Sequence, residues 1–386
     1  MDLAAQREPE LSSKELLRLY ARLASLIPLR LSIYLARYAA FALRHHFPVK
    51  YYLVCALVRL LFKSFSPREQ RYLFPSSRHL YEEWIDKKAK ACQDPLTRKR
   101  LVRDIQPLES VNSAILWIGD RQIATKFVLF FHGGAYSMPL GRGHTEWCWN
   151  AYVGPGIDAG VEVAVGVLQY SLLADGRFPI QLRQAAAALG ALLDAGVQPE
   201  DIIIGGDSAG GNLTLQLLGH LIHPHPGVRR IDLARPLAGT FIVSPWLSCN
   251  TSRRSYREYG ADMLTAGLVK DISKSYFGGE RGFEEARAGE NPWAAPLDGD
   301  KNWLSGLDKL VSSVYVTAGG REALANDARD LVTTVKGLHA GLDVRFDEAE
   351  NEAHDFIWVE GFLGEVGDAT IRMKDWFMTA VLSREC

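Results

Sequence analysis

The chain has 386 residues, 47% of them hydrophobic, and a formal net charge of −1 at pH 7. This length can bury a large core, and one α/β unit with an additional cap accounts for it without a second independent domain. The near-neutral charge, with no phosphate-binding glycine loop, repeat or basic nucleic-acid patch in the sequence, argues against nucleic acid as a partner.

Residues 1–100 are predicted to form two or three amphipathic helices. Residues 11–81 contain twelve Lys or Arg residues but only two acidic residues, Glu15 and Glu69. Basic residues interrupt the apolar stretches, so no uncharged run approaches the roughly 20 residues that a membrane span requires. These helices could form a cap over an active site. Alternatively, their basic face could also contact an anionic membrane surface, which would make the protein peripheral to a membrane.

Two features predict a cytoplasmic protein, with attachment to an intracellular membrane surface as the alternative. Residues 1–15 are polar and acidic, whereas a secretory signal needs a basic start and an apolar block. The cysteines are scattered and odd in number, which predicts free thiols in a reducing compartment. They are Cys55, Cys92, Cys148, Cys249 and Cys386.

Residues 101–386 alternate between short apolar runs typical of strands and longer segments typical of helices. This alternation predicts an α/β fold, with a mostly parallel twisted sheet and helices on both faces. The loops at the strand ends would then share one edge of the sheet, where ligand sites of open α/β folds are found. The predicted strands are residues 126–131, 161–169, 202–205, 238–243, 311–317 and 344–346, and the predicted helices include residues 181–195 and 323–340.

The predicted strand Lys126–Phe131 runs directly into His132, Gly133, Gly134 and Ala135. Consecutive glycines after a strand can turn their amide N–H groups toward a common point, which is how an oxyanion hole is built from backbone. An ordinary glycine turn would have the same sequence. We predict that Gly133 and Gly134 are oxyanion donors and that His132 holds this loop by hydrogen bonding.

A second signal is the sequence Gly-Asp-Ser-Ala-Gly at residues 206–210, preceded by three isoleucines. It predicts a strand, a sharp turn and a helix start. The small residues Gly206 and Gly210 would let the turn close and leave Ser208 exposed at its apex. The helix would point its N-terminal amides at the site, which makes Ala209 a third oxyanion donor. Ser208 is the predicted nucleophile.

Four motifs then stand in a fixed order: residues 132–134 (His-Gly-Gly), residues 170–179 (Tyr-Ser-Leu-Leu-Ala-Asp-Gly-Arg-Phe-Pro), residues 206–212 (Gly-Asp-Ser-Ala-Gly-Gly-Asn) and residues 354–356 (His-Asp-Phe). In this order and at about this spacing, the chain resembles the hormone-sensitive-lipase-like branch of the α/β-hydrolases, and its fungal members in particular. The resemblance spans about residues 105–380. It implies an α/β-hydrolase fold with a helical cap and a nucleophile, an acid and a histidine in that chain order.

The resemblance places the catalytic base at His354, between a predicted late strand and a C-terminal helix. Aligning the family's acidic turn on Leu324 places the acid at Glu322, with Ala323 where the family has proline and one extra residue in the turn. Asp327 is the alternative acid. Without a catalytic role, Asp327 would be a solvated carboxylate in the first turn of a helix.

An insertion of about residues 247–310 contains no clear strand but many aromatic residues. Long insertions of this kind are often functional, and aromatic side chains can cover an apolar pocket. Each aromatic residue alone is better explained by core packing than by ligand contact. We predict a hydrophobic acyl or alcohol group in the substrate, and candidate contacts at Tyr136, Trp246 and Trp293.

Together these assignments predict a serine hydrolase of the carboxylesterase or deacetylase type, acting on an ester of a hydrophobic small molecule through an acyl-enzyme. No cofactor or metal is expected, since His223 and His225 have no third ligand nearby in sequence. The same site could instead act on a thioester or amide, or release or cyclise a secondary metabolite. A non-catalytic binding protein on this fold would be expected to lose the histidine, which is present. The sequence does not predict an oligomeric state.

Overall fold

The computed structural model describes residues 11–258 and 260–382. Residues 1–10, Tyr259 and Cys386 lie outside the described residues, and so do the predictions that concern them. The cysteines within the described part, Cys55, Cys92, Cys148 and Cys249, are free thiols.

A single eight-stranded sheet forms the centre of the molecule. Its strands are β1 (Asp104–Leu108), β2 (Ser113–Ile118), β3 (Lys126–Phe131), β4 (Val163–Leu168), β5 (Ile202–Asp207), β6 (Gly239–Val243), β7 (Ser313–Gly319) and β8 (Asp343–Ala349). Across the sheet they lie in the order β1-β2-β4-β3-β5-β6-β7-β8.

Strand β2 pairs antiparallel with β1 and β4, and the other neighbouring strands are parallel. Every residue of β3, β4, β5 and β6 is buried, so both faces of the central sheet are covered. The predicted α/β fold is confirmed. The sequence reading missed β1 and β2, because β1 is a half-exposed edge strand that contains Pro107.

The N-terminal region contains six helices between residues 13 and 99, more than the two or three predicted. Side chains of Ser12, Ser66, Ser76 and Asp94 cap separate helix starts, and these caps divide the region into shorter elements. The helices are α1 (Ser13–Ala24), α2 (Leu26–Arg44), α3 (Val49–Ser64), α4 (Pro67–Leu73), α5 (Ser77–Ala91) and α6 (Pro95–Lys99).

Ten further α-helices lie around the sheet within the described residues. Three of them, α11 to α13, lie in the insertion of residues 247–310 between β6 and β7, where the sequence predicts no strand. The helices are α7 (Arg142–Cys148), α8 (Gly154–Ala159), α9 (Ile180–Asp194), α10 (Ala209–Ile222), α11 (Ser255–Glu258), α12 (Ala266–Tyr276), α13 (Glu280–Arg287), α14 (Ala325–Leu338), α15 (Phe356–Leu363) and α16 (Asp368–Trp376).

The N-terminal helices pack onto the insertion. The Tyr38 hydroxyl on α2 donates to the carbonyl oxygen of Asp262 at 2.7 Å. The Arg59 guanidinium on α3 donates to the carbonyl oxygens of Asp262 and Gly260, each at 3.0 Å. Tyr38 and Tyr52 belong to the same apolar core as the sheet. Within the described residues, the N-terminal helices therefore pack on the insertion and on the core of the sheet.

Helix α2 differs from the sequence expectation in one respect. Its 19 residues have a mean hydropathy of 1.3 over an 18-residue window, so by length and composition alone it could cross a membrane, although only 11% of that window is buried. Arg30 and Arg37 lie inside this helix, and Tyr38 and Ala42 pack into the core. These contacts favour a helix that lies on the protein surface.

Candidate active site

Ser208 lies on a strained turn between β5 and α10. Its backbone has φ 52° and ψ −112°, a region that side-chain-bearing residues rarely adopt. The turn is held by a 2.8 Å hydrogen bond from the Ser208 amide to the carbonyl oxygen of Val243. A Cβ atom at Gly206 or Gly210 would overlap the carbonyl oxygen of Phe131 on the neighbouring strand. Glycine is therefore required at both positions for β3 and β5 to pack this closely around the turn.

The site is more closed than the sequence suggests. Ser208 is only 8% exposed, and Trp246 beside it is 5% exposed. The Trp246 amide donates to the carbonyl oxygen of Ser208 at 3.2 Å, which places this tryptophan next to the turn. The predicted exposure of Ser208 is wrong, because the segment after β6 packs against the turn.

The structure brings His354 and Glu322 together. His354 follows β8 and Glu322 follows β7, and the two strands are parallel neighbours, so both loops lie at the same edge of the sheet as Ser208. His354 Nδ1 lies 3.7 Å from Glu322 Oε1, an ion-pair distance slightly longer than a hydrogen bond. Glu322 Oε2 accepts hydrogen bonds from Ser244 Oγ at 2.6 Å and the Gly319 amide at 2.9 Å. These bonds fix the carboxylate so that its other oxygen faces the imidazole.

Asp262 is a buried residue beside this pair that the sequence reading missed. It is buried, and it accepts backbone N–H groups from Met263 and Ala323, both at 2.7 Å, and from His354 at 3.2 Å. It therefore holds the loops that carry the acid and the histidine. Its position in an insertion without a recognisable motif gave no signal in the sequence.

The electrostatics of His354 follow from these neighbours. Burial alone disfavours the imidazolium, but the adjacent Glu322 carboxylate and the charge of Asp262 outweigh it and raise the pKa of His354 to about 9. Burial, with the nearby Glu322 charge, raises the pKa of Asp262 to about 6, although His354 opposes this. Near neutral pH the ring is therefore protonated and Asp262 is an anion.

Asp327, the alternative acid, lies elsewhere. It is 1% exposed and accepts the amides of Leu247 at 2.8 Å and Ser248 at 3.1 Å, while Arg253 pairs with it at 3.2 Å. Burial raises its pKa to about 7, and Arg253 opposes the shift. Asp327 is thus a buried carboxylate that fixes the segment after Trp246, and the expectation of a solvated first-turn residue is wrong. Its hydrogen bonds and ion pair do not include His354.

The loop of residues 132–136, called the oxyanion loop below, requires one correction. The Gly133 amide donates to Asp207 Oδ1 at 2.9 Å, so it is not free to serve as an oxyanion donor. Gly134 and Ala135 have positive φ values of 101° and 57°, and within residues 11–258 and 260–382 their amides form no hydrogen bond. The sequence could not show which of these amides is already bonded, because the orientation of Gly133 depends on Asp207, which lies 74 positions away.

His132 holds the oxyanion loop from behind. Its Nδ1 lies 2.7 Å from the carbonyl oxygen of Gly133, and its ring stacks on Tyr170 with the ring centroids 4.3 Å apart. The Tyr170 hydroxyl donates to the carbonyl oxygen of His132 at 2.7 Å. Burial, with the nearby His144, lowers the pKa of His132 to about 3, so the ring is neutral. These contacts agree with the predicted loop-holding role.

Two of the three predicted substrate contacts lie near the nucleophile. Tyr136, in the oxyanion loop, is buried, stacks on Tyr276 of α12 at 4.2 Å and donates to Asn212 Oδ1 at 2.8 Å. The Trp246 ring lies 6.2 Å from the Tyr136 ring and 5.8 Å from the Tyr276 ring. Tyr276, from the insertion, belongs to the same group of packed rings. The sequence analysis included it only as one of many aromatic residues.

The structure does not bring Trp293 to Ser208. Its indole N–H donates to the carbonyl oxygen of His223 at 2.8 Å, and its ring packs on His225 and Trp303. His223 lies just beyond the C-terminal end of α10, about 20 Å along the helix from Ser208. Trp293 therefore packs the insertion against the far end of this helix.

With this geometry in place, the chain can be compared with known proteins. Residues 128–358 match the family model of the α/β-hydrolase fold, and this match includes every candidate catalytic residue. The chain belongs to the α/β-hydrolase family. An acetyl-hydrolase from Streptomyces hygroscopicus is 27% identical to this hydrolase over 252 residues, which cover 64% of this chain and 74% of the relative.

Solved structures show the same fold. An esterase from the bacterial hormone-sensitive lipase family superposes with a TM-score of 0.61 and 23% identity, covering 86% of this hydrolase and 99% of that chain. A hormone-sensitive-lipase homologue from a metagenome library, EstE7, superposes with a TM-score of 0.58 and 21% identity over 85% and 97% of the two chains. The hydrolase is a carboxylic ester hydrolase. The predicted likeness to fungal members is not confirmed by these relatives.

We predict that kcat/KM for ester hydrolysis rises with pH and reaches half of its maximum near pH 9. Below its pKa of about 9, His354 carries a proton and cannot act as a general base. Asp262→Asn removes a negative charge beside the ring, which lowers the pKa of His354. The rise of kcat/KM with pH, which is the acid limb of the profile, should therefore shift to lower pH in this variant. The pH profile of kcat/KM, corrected for hydroxide hydrolysis, measures both effects.

Asp158→Asn, which removes an exposed carboxylate on α8, is the matched control and should leave the acid limb unchanged. Circular dichroism checks that the variants are folded. An acid limb in folded Asp262→Asn that stays in place or moves to higher pH contradicts the electrostatic account.

Proposed function

We propose that this hydrolase cleaves short-chain esters of a hydrophobic alcohol, with Ser208 as nucleophile, His354 as base and Glu322 as acid. The observation that carries the proposal is the combination of a strained serine turn after β5 with His354 facing Glu322 at 3.7 Å after β8 and β7. Parallel strands bring these three loops to one edge of the sheet. Their chain order, serine, acid and histidine, is that of α/β-hydrolases.

In the proposed mechanism, His354 takes the proton of Ser208 as the hydroxyl attacks the ester carbonyl. Glu322 orients the imidazole and stabilises its charged form. His354 then gives the proton to the leaving alcohol, and water releases the acyl group by the same steps in reverse order. The developing oxyanion is bound by the amides of Gly134, Ala135 and Ala209, each typically worth about 3 kcal/mol of transition-state stabilisation.

The surroundings of Ser208 support a small acyl group. Tyr136, Trp246 and Tyr276 pack against one another beside the turn. Burial of these rings leaves little room for a long acyl chain. The Streptomyces relative is an acetyl-hydrolase, which agrees with acetyl as the acyl group. The alcohol would then be the larger, hydrophobic part of the substrate.

A fluorophosphonate probe and a panel of p-nitrophenyl esters of rising acyl length test this proposal. Wild-type protein should be labelled, and acetate should be cleaved with a kcat/KM at least tenfold above that of octanoate. Ser208→Ala should lose both labelling and activity. A folded wild-type protein that is neither labelled nor active would refute the hydrolase mechanism, and a preference for octanoate would refute the small acyl pocket.

The acid is tested by Glu322→Ala and Asp327→Ala. Glu322→Ala should lower kcat about 10³-fold or more, because the imidazole loses its orienting anion. Asp327→Ala should act mainly through stability, since the amides of Leu247 and Ser248 lose their acceptor. Thermal denaturation separates the two effects. The reverse ranking of kcat in folded variants would assign the acid to Asp327.

We further propose peripheral contact of helix α2 with an anionic membrane surface. Leu29, Ile33 and Leu43 are 61%, 53% and 65% exposed and recur at spacings that place them on one helix face. Arg37 and Arg44 flank this face, and α2 contains no acidic residue. An apolar stripe flanked by arginines suits the interface of an anionic bilayer. A hydrophobic ester dissolved in that bilayer would then lie close to the enzyme.

Co-sedimentation with vesicles of phosphatidylcholine, with and without phosphatidylserine, tests this contact. Wild-type protein should bind the anionic vesicles, and Leu29→Glu should bind at least fivefold more weakly. Leu96→Glu is the matched control, since Leu96 is an equally exposed leucine, at 64%, on helix α6. Equal binding by the two variants, or no binding by the wild type, would exclude this surface.

A further inference from the structure

The carboxylate of Asp207 contacts two separate segments behind the candidate catalytic groups. Asp207 immediately precedes Ser208 and is buried. Its Oδ1 accepts the Gly133 amide at 2.9 Å, and its Oδ2 lies 3.3 Å from Nε2 of His144 on α7. This one side chain therefore contacts the oxyanion loop and helix α7 while its backbone carries the nucleophile turn.

The tautomer of His144 follows from its backbone partner. The Gly141 amide donates to His144 Nδ1 at 3.1 Å, so the neutral ring carries its proton on Nε2. Burial lowers the pKa of His144 to about 4, so the ring is neutral near pH 7. His144 Nε2–H therefore donates to Asp207 and has no lone pair to offer. The cluster of His144, Asp207 and Asp355, whose ligand-type atoms lie within 4.8 Å of one another, is thus poorly suited to hold a metal ion.

A second carboxyl group, that of Asp355, lies next to the carboxylate of Asp207. Asp355 follows His354, has φ 56° and is buried, and a carboxyl oxygen of Asp355 lies within 4.8 Å of a carboxyl oxygen of Asp207. Within residues 11–258 and 260–382, no N–H or O–H group donates a hydrogen bond to its Oδ1. Two buried carboxyl groups this close together cannot both be ionised, so they share one proton. Asp207 already accepts two N–H groups, which stabilise its anion, and the proton therefore belongs to Asp355.

We propose that Asp355 is a positioning residue that acts in its protonated form, donating a hydrogen bond to Asp207 and so tying the His354 loop to the nucleophile turn and the oxyanion loop. Each partner is adjacent in sequence to a group of the proposed mechanism: Asp355 to His354, Asp207 to Ser208, and Gly133 to Gly134. The inference rests on the proposed function for its catalytic consequence. The shared proton itself does not depend on that function.

Apart from His354, the other titratable groups that face this pair stay uncharged near neutral pH. Asp207 also faces Cys148 of α7, Tyr152 beyond it and Tyr170 after β4, and burial raises the pKa of each well above its usual range. Asp355 also faces the neutral imidazole of His144, the protonated imidazole of His354 and the Cys55 thiol, whose pKa burial raises well above its usual range. Burial and the nearby Asp207 carboxylate raise the pKa of Asp355 well above its usual range. At high pH Asp355 loses its proton, and the two anions then repel one another.

Two substitutions separate the hydrogen bond from the charge. Asp355→Asn keeps a donor toward Asp207 but cannot ionise, whereas Asp355→Ala removes the donor. Asp355→Ala should lower kcat at least tenfold with little change in KM, and Asp355→Asn should be at least tenfold more active than Asp355→Ala. Above the pH range of the rise that His354 controls, kcat/KM of the wild type should fall as Asp355 loses its proton, and this alkaline fall should be absent from Asp355→Asn. Asp158→Asn, on the surface, is the control.

Infrared difference spectroscopy tests the proton without relying on activity. At pH 8 the wild type should show the C=O stretch of a protonated carboxyl group that is missing from Asp355→Asn and retained in Asp158→Asn. If this band is present but the protein is not labelled by a fluorophosphonate, the proposed function fails and the shared proton stands. Absence of the band, equal kcat for Asp355→Asn and Asp355→Ala in folded protein, or an unchanged alkaline limb in Asp355→Asn would overturn the inference.

Discussion

The hydrogen bond from the Gly133 amide to the Asp207 carboxylate joins the loop after β3 to the turn after β5. It forms because the glycines on either side of Ser208 let the turn pack directly against the carbonyl oxygen of Phe131. The Gly133 amide is thereby bonded to Asp207, whereas the following amides of Gly134 and Ala135 remain unbonded within the described part of the chain. The arrangement of donors around Ser208 is a consequence of this one contact between neighbouring strands.

A second constraint comes from outside the sheet. Asp262 in the insertion accepts the amides of His354 and Ala323, and its own carbonyl oxygen accepts hydrogen bonds from Tyr38 and Arg59 of the N-terminal helices. The N-terminal helices, the insertion and the loops of the proposed acid and base therefore form one connected unit. This unit connects helix α2, through Asp262, with the His354 loop at the sheet edge.

Local features of the sequence predicted the parts that depend on local structure. The strand, turn and helix around Ser208 were predicted because small residues and apolar runs determine such a turn within a few positions. His354 and Glu322 came from the resemblance to a family, and the structure places them side by side. The orientation of Gly133, the buried role of Asp327 and the remote position of Trp293 depend on residues distant in sequence. Asp262 and Asp355 were missed because their partners are defined only by the folded chain.

The central claim is that Ser208 forms a covalent acyl-enzyme. Mass spectrometry of protein quenched with acid during turnover of p-nitrophenyl acetate tests it most directly. The account predicts an acetyl group on the peptide that contains Ser208, and none in Ser208→Ala treated in the same way. Rapid turnover without an acetylated peptide, or an acetyl group whose appearance does not depend on Ser208, would contradict it.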